Sequence, residues 1–438
     1  MSNKHTTRIA IIGAGIGGLS AAISLRRLVG VDVQIFEQAK ALREVGASIA
    51  LGPNGIRGLE AIGATNTLSD EIAFRSTHGY PMVYKHWKTG EVLVRDEHSH
   101  TVTETRHRTA RYFRPHLQEA LANNIPPEAI HLRKRLVDVL IQSDSEDPVL
   151  LKFEDGSQYS ADLVVGADGI HSTVRSKFFP DYRLAPTGQI ALRAVFDSSL
   201  VSDLLAQDTD LKNSVHVVGP DRNFFSSMLG KGKFTVVGLG YDDLENSPWQ
   251  GKQWDDKGDV ESFRKGYQAC AEYWNSSVTS LLERVPSDSL RVFPAWASDE
   301  VLHPVHTGRI VLLGDAFHPH GGILAIGGSL AIDDSVALYL SLQHVQARET
   351  ASSTSSSRIS NAGLLDALKI YSTTRLPHIR EVCRLVVQIR GGAAKPGKCW
   401  NEEKIRTWAE NKKEVVWLHE HDVHQRFLDA LQLALIRE

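Results

Sequence analysis

The sequence predicts an α/β protein in which a domain built on a doubly wound parallel sheet is interrupted by a mainly antiparallel sheet and followed by a helical C-terminal region. Three observations predict it. Residues 8–37 run strand, glycine loop, helix, strand, which is a βαβ unit. Apolar runs of the same buried-strand style return at "ADLVVGADG", residues 161–169, and at "GRIVLLGDA", residues 308–316. Between them, residues near 187–240 carry "GQIALRAVF", "NSVHVVG" and "KFTVVGLGY" separated by polar turns, the pattern of an antiparallel sheet.

Taken in order, "RIAII" is the first strand, "LSAAISLRRL" returns apolar residues at helical spacing, and "VDVQIFE" is the second strand. From "SIALGPNGIRGLEAIG" to "YFRPHLQEAL" the pattern is mixed, with a helix expected at residues 114–122. "AIHLRKRLVDVLIQ" and "PVLLKFEDGSQYSADLVVGADG" read as strands, with a turn at Asp155-Gly156. A Trp-bearing stretch at about 258–284 is helical, and the polar tract "ASSTSSSRIS", residues 351–360, reads as a mobile loop between helices. The expected division is a discontinuous nucleotide domain of residues 1–180 and 296–345, an inserted sheet domain of residues 181–295, and a loop and helical tail of residues 346–438.

Composition narrows the partners. A chain of 438 residues can bury a large core. Its formal net charge of -3 provides no basic field for a nucleic-acid backbone. Cys270, Cys383 and Cys399 are odd in number and show no C-x-x-C spacing, which fits a reducing, cytoplasmic compartment. The first apolar run is broken by glycines and follows only a mildly basic flank, so it reads as a buried strand and helix rather than a leader or a membrane span.

"GAGIGG" places Gly13, Gly15 and Gly18 at G-x-G-x-x-G spacing, with Glu37 ending the next strand. Gly13 permits a tight turn, Gly15 lets the backbone approach a pyrophosphate, and Gly18 lets helix and strand pack closely. The helix N-terminus favours the phosphate charge. Glu37 is placed to accept hydrogen bonds from a ribose, and its charge disfavours a 2′-phosphate. The domain is therefore Rossmann-like, with FAD or NAD as its ligand.

With "ADLVVGADGIHSTVR" and "GRIVLLGDAFHP" added in this order, the chain resembles the single-component FAD-dependent aromatic hydroxylases, which include salicylate and hydroxybenzoate hydroxylases. The resemblance covers about residues 8–340. It implies that the first loop holds the ADP half of FAD and that Asp315 meets the ribityl chain. It further implies that the helix after Gly327 and Gly328 aims its amides at the flavin, that Asp168 belongs to the motif touching FAD and the nicotinamide donor, and that Arg114 opens a helix beside FAD. Many family members carry a Pro and a Gly-Gln-Gly run before that last helix. Here "GGILAIGGSLAIDD" has Gly322 at the Pro position and Ala325 for the first Gly, which implies a differently shaped flavin-facing loop.

The activity implied is an NAD(P)H-dependent monooxygenase that inserts one atom of O2 into a small phenol or aromatic acid, with or without decarboxylation. Substrate-side residues are expected on the inserted sheet: Arg193 to pair with a carboxylate or phenolate, His216 to take a phenolic proton, and Tyr241. Alternatives are a flavin oxidoreductase without oxygen insertion, a halogenase, whose W-x-W-x-I-P run is absent, and a non-catalytic FAD-fold binding protein. The oligomeric state, monomer or homodimer, is left open by the sequence. No metal is expected. His318 and His320 lack a third convergent ligand, and "HEHDVH", residues 419–424, has Val423 where H-E-x-x-H needs histidine, so it reads as a polar helix face.

Overall fold

The computed structural model describes residues 6–42, 47–141, 147–242, 247–268, 274–352, 358–393, 399–411 and 416–435. A six-stranded sheet runs in the spatial order His306–Thr307, Ile310–Leu312, Leu163–Gly166, Thr7–Ile12, Val31–Phe36 and Ile130–His131. All pairings are parallel except that of His306–Thr307 with its neighbour. A parallel sheet needs cover on both faces, which explains why its central strands read as unbroken apolar runs. Ile9, Ile11, Val164 and Val311 are fully buried. The helix Ile16–Leu25 leaves the first glycine loop and packs on the long helix Gly327–Ser352. Gly17 makes this approach possible, since a Cβ there would stand 2.8 Å from Leu313 and 3.1 Å from Ala331.

The inserted sheet has eight strands in the order Asp256–Lys257, Leu290–Ala297, Ala185–Asp197, Lys233–Tyr241, Arg222–Leu229, Val215–Val218, Val83–His86 and Val92–Arg95. Period-two alternation divides its side chains. Ile190, Ala194, Phe224, Phe234 and Val236 face the helices Val260–Gln268 and Ser276–Glu283, where Phe263 and Trp274 complete a separate core. Ala191, Phe225, Val237 and Phe293 face the other way, toward the nucleotide domain. The sheet also recruits residues 83–86 and 92–95 from the stretch that the sequence assigns to the nucleotide domain. "VYKH" is too short and too polar to announce itself as a strand, and its partner Val215–Val218 lies far along the chain in a parallel pairing.

The helix at Arg114–Ala122 and the hairpin turning at Asp155-Gly156 form where the local pattern places them, with Gly156 at φ +80°. In the tail, the helices Asn361–Gly392 and Val423–Leu435 pack on Gly327–Ser352. The serine-rich tract lies between Gly327–Ser352 and Asn361–Gly392, and its residues 353–357 lie outside the described residues, as does Cys270. Among the described helices, none is long and apolar enough to cross a membrane.

"HEHDVH" is not a polar helix face. His419 ends a four-residue helix, Val416–His419, and the next three residues turn. Glu420 accepts hydrogen bonds from Ser99 N and Thr101 Oγ1, each at 2.8 Å, and the His421 ring stacks on His378 with centroids 3.6 Å apart. The tail folds back over the N-terminal part of the chain, so residues that are polar by local pattern become interior contacts.

Candidate active site

The first loop has the geometry its glycines require. Gly13 sits at φ +101°, and a Cβ on it would lie 2.5 Å from the Ala167 carbonyl. A Cβ on Gly18 would lie 2.0 Å from the Gly13 carbonyl. Glu37 binds the loop directly, its carboxylate accepting from Ala14 N at 2.8 Å and Ala39 N at 2.8 Å. No side chain caps the helix that begins at Ile16, so its first amides are available to a phosphate. Gln118, on the helix opened by Arg114, donates to the Ala14 carbonyl at 2.9 Å and steadies the loop from the other side.

The second loop lies opposite. Asp315 is exposed in a stretch, residues 309–320, that is otherwise buried throughout, so its carboxylate projects from the turn into open space. Both Asp315 and Asp255 act electrostatically on Arg114, whose guanidinium burial holds below its ordinary value. Gly327 lies against His320 and Asp315, with Asp315 Oδ1 3.6 Å from where a Cβ would be. Gly328 packs on Ile49 and Leu51, where a Cβ would come within 2.7 Å and 3.0 Å. His320 is buried, and neither of its ring nitrogens has a hydrogen-bond partner among the described residues. A glycine cradle at one end, and an outward carboxylate beside an orphaned buried imidazole at the other, fit FAD. Glu37 and the loop amides would hold its ADP half, and Asp315 with the Gly327-Gly328 helix start its ribityl and flavin half.

Asp168 takes a local part. Its carboxylate accepts from Thr173 N at 2.7 Å and Val174 N at 3.1 Å, capping the helix Thr173–Phe178. Burial pushes its pKa up while the Ser172 hydroxyl and these amides oppose the rise. Arg175, which the sequence places close behind Asp168-Gly169 but to which it gives no role, is buried and donates to the carbonyls of Asp315 and Ala316, each at 3.0 Å, and to that of Ile170. It joins the two aspartate-glycine turns in one unit. Its signal was visible as a helix-borne arginine closely following Asp168-Gly169, but the two partners that tie the turns together lie about 140 residues on.

A third set of residues supports the second turn from below. Asp334, fully buried, accepts from Gly314 N at 2.8 Å and Arg375 Nε at 2.7 Å, and lies 2.7 Å from His318 Nε2. Burial alone raises such a carboxyl, but the His318 and Arg375 charges outweigh it and hold Asp334 down to about 2. Beside it, burial pushes Asp333 up to about 7 against the pull of Arg375 and Asn54. Asp333, His378 and His421 bring ligand atoms within 4.8 Å of one another. The histidine rings stack nearly parallel, at 8°, so their lone pairs run side by side instead of converging, and Arg375 lies 3.2 Å from His421. The parallel rings and the adjacent guanidinium charge make a poor cation site, while neither His378 nitrogen has a hydrogen-bond partner among the described residues.

The flavin-facing loop is strained where it departs from the family pattern. Gly321 and Gly322 take φ +72° and +73°, but so do two side-chain-bearing residues, Leu324 at +66° and Ala325 at +54°. Alanine thus adopts the left-handed conformation that a glycine would accept without penalty.

Above this loop, the inner face of the eight-stranded sheet walls a cavity of about 290 Å³. Arg193, His216 and Tyr241 all line it. Register places four residues in one cross-strand row: Arg193 opposite Val237, Val237 opposite Phe225, and Phe225 opposite His216. At about 4.8 Å per strand, the Arg193 and His216 backbones stand roughly 14 Å apart. Arg193 belongs to the flavin end, with Nη1 3.4 Å from the Ser48 carbonyl and Nη2 4.0 Å from where a Cβ on Gly322 would be. Burial and the Arg114 charge push it down to about 10, and it has no carboxylate partner among the described residues. His216 lies among rings, 5.5 Å from Tyr84 and 5.6 Å from Trp408. Tyr241, opposite Gln189, stands four residues along its strand from Val237, and burial raises its hydroxyl. Arg111, missed by the sequence reading, also lines the cavity, stacks 5.0 Å over Phe225, and is pushed down to about 10 by burial.

Comparison with known proteins agrees with this geometry. The family model described as FAD binding domain matches residues 6–383. The chain is 31% identical to 6-hydroxynicotinate 3-monooxygenase of Bordetella bronchiseptica, over 76% of this chain and 81% of the relative. It is 29% identical to 6-methylsalicylate 1-monooxygenase of Aspergillus terreus, over 99% of this chain and 93% of the relative. A solved salicylate hydroxylase substrate complex shares the fold, with a TM-score of 0.75 at 20% identity, covering 98% of both chains. The glycine cradle, the outward Asp315 and these relatives lead to one conclusion: the chain belongs to the FAD-binding-domain family and is an FAD-dependent monooxygenase of the aromatic hydroxylase type.

Proposed function

We propose that the enzyme uses NAD(P)H and O2 to hydroxylate an electron-rich phenol or aromatic acid bound on the inner face of the eight-stranded sheet, with or without loss of a carboxylate. When bound, FAD supplies hydride acceptance and oxygen activation. The observation that carries the substrate reading is Arg193, a buried guanidinium without a carboxylate partner among the described residues, beside the flavin-facing loop. A buried charge left unpaired is costly, so an anionic substrate group is its natural complement. The Val237, Phe225 and Leu239 side chains of the cavity wall offer an apolar seat for a ring and exclude water from it.

The strand spacing separates the roles of the other two residues. His216 stands too far along the row to receive a proton from a ring held at Arg193, so we assign it to substrate packing, and Tyr241 to the other end of the cavity lining. The odd set of cysteines, with Cys383 and Cys399 both free thiols, supports a cytoplasmic setting. The relatives' names favour oxygen insertion over a flavin oxidoreductase or a non-catalytic binding protein.

The test is NAD(P)H oxidation with product masses across phenolic acids, in the wild type and in Arg193→Met. A product heavier by one oxygen is expected, with KM for acids raised at least tenfold in the variant while bound FAD is retained. Equal KM values for acids in both proteins would remove Arg193 from the substrate site.

A further inference from the structure

The half of the cavity farthest from the flavin-facing loop is walled by rings. Tyr84 lies 5.9 Å from Trp408, Trp408 lies 5.7 Å from Trp400, and His216 touches both Tyr84 and Trp408. All four contribute surface to the cavity. The two indoles come from the C-terminal tail, not from the sheet, and the tail is fastened where they enter. Trp400 N donates to the Pro220 carbonyl at 2.7 Å, and Asn401 Oδ1 caps the Glu402–Glu410 helix by accepting from Lys404 N at 2.9 Å. His86 Nε2 lies 2.9 Å from Glu402, and Arg406 pairs with Glu402 and Glu91. Trp408 is therefore presented on a helix tied to the strands Val83–His86 and Val92–Arg95, and side chains held on a rigid element bind with little further ordering.

The spacing gives this wall a purpose. A single aromatic ring whose acid group meets Arg193 spans less than the roughly 14 Å between the Arg193 and His216 strands. Such a ligand would leave the indole-lined half of the cavity unfilled, although flat, polarisable rings on a cavity wall are what an aromatic ligand stacks on.

We propose that this far half is a subsite for a second ring, so that the enzyme takes bicyclic or biaryl phenolic acids, with the reacting ring near Arg193 and the 322–325 loop and the second ring against Trp408 and His216. The proposal rests on the aromatic-acid reading of the Arg193 end. It makes the C-terminal tail the element that sets substrate length.

The test uses the full-length, FAD-loaded enzyme with salicylate and 4-phenylsalicylate, which share the same phenol and acid. Dissociation constants come from the change in flavin absorbance, and turnover from NADH oxidation with product masses. The biaryl acid is expected to bind at least tenfold more tightly. Trp408→Ala should weaken the biaryl acid about tenfold more than salicylate, and Trp408→Phe should restore most of the difference. His216→Leu keeps a comparable volume but removes a flat ring, and should lower the biaryl preference in the same direction while the tail keeps its anchors at Pro220, His86 and Glu91. Equal weakening of both ligands in Trp408→Ala, or a biaryl acid that binds no better than salicylate, overturns the subsite. Turnover of salicylate with exclusion of the biaryl acid sinks the subsite alone. Silence of the flavin spectrum toward both sinks the aromatic-acid reading, and the subsite with it.

Discussion

Replacing Asp334 with Asn removes one carboxylate from a position where three donors meet. Arg375, fully buried, then has among the described residues only the Asp333 carboxyl nearby, 4.0 Å away and itself pushed up to about 7 by burial. Breaking a buried ion pair from one side costs about 3–5 kcal/mol, because the remaining charge is left uncompensated. The amide oxygen of Asn can replace only part of what the carboxylate accepts from Gly314 N, His318 and Arg375. Gly314 precedes Asp315, so loosening this turn should also weaken FAD by about tenfold, the worth of roughly one hydrogen bond. The assay is urea unfolding of the apoprotein, with FAD affinity from flavin fluorescence. The double variant Asp334→Asn/Arg375→Met, which removes the stranded cation, should recover most of the stability lost by Asp334→Asn. The pH dependence has a definite sign. Asp334 is held from 3.8 down to about 2, so its contribution of about 2 kcal/mol is complete above the ordinary carboxylate value and is lost as pH falls toward about 2. The gap between wild type and Asp334→Asn should therefore narrow only in acid. A loss under about 1 kcal/mol, or a double variant that is the simple sum of the two singles, would refute this account of the turn.

Asp315→Ala should give folded protein largely stripped of flavin, read as loss of the yellow absorbance after purification; normal occupancy would mean that Asp315 does not hold the cofactor. Asp333 behaves in the opposite sense to Asp334. Its folded value is raised from 3.8 to about 7, so stability is lost as pH rises through that window. Asp333→Asn, which can still accept from Asn54, should flatten the pH dependence of Tm there and add about 2–4 kcal/mol above neutrality. Ala325→Gly should relieve a left-handed alanine, offset in part by glycine's greater freedom when unfolded, for a net gain of about 0.5–1 kcal/mol in thermal unfolding; a net loss would show that the loop is not strained at this position.

The parts legible in the sequence are those written in neighbouring residues. Gly13, Gly15, Gly18 and Glu37 fall within one βαβ unit, so their order and spacing alone announce a dinucleotide cradle. Asp315 follows its strand directly. The alternation in "ALRAVF" and "SVHVV" already says that Arg193 and Ala191 share one face, and that His216 faces opposite to Val215 and Val217. Ala325 was visible as a departure, but its cost was not, because a φ of +54° is a property of the folded loop.

What only the tertiary structure decided are the relations between segments. Periodicity assigns a residue to a face, but register between strands distant in the chain assigns its neighbours, and that register put Arg193 three strands from His216. The strand Val83–His86 joins the inserted sheet through a non-local parallel pairing that carries no local signature. Arg175, Arg375 and Trp408 each act on partners reached only after the chain has folded back, and their surroundings in sequence are those of ordinary surface helices. The sequence by itself determined a dinucleotide cradle, because its glycines and Glu37 set their backbone shape within a few residues, and the order of its three motifs carried the resemblance that implies FAD. The tertiary structure decided the substrate cavity, because its walls come from a sheet, a loop and a C-terminal helix whose contacts are set by long-range packing.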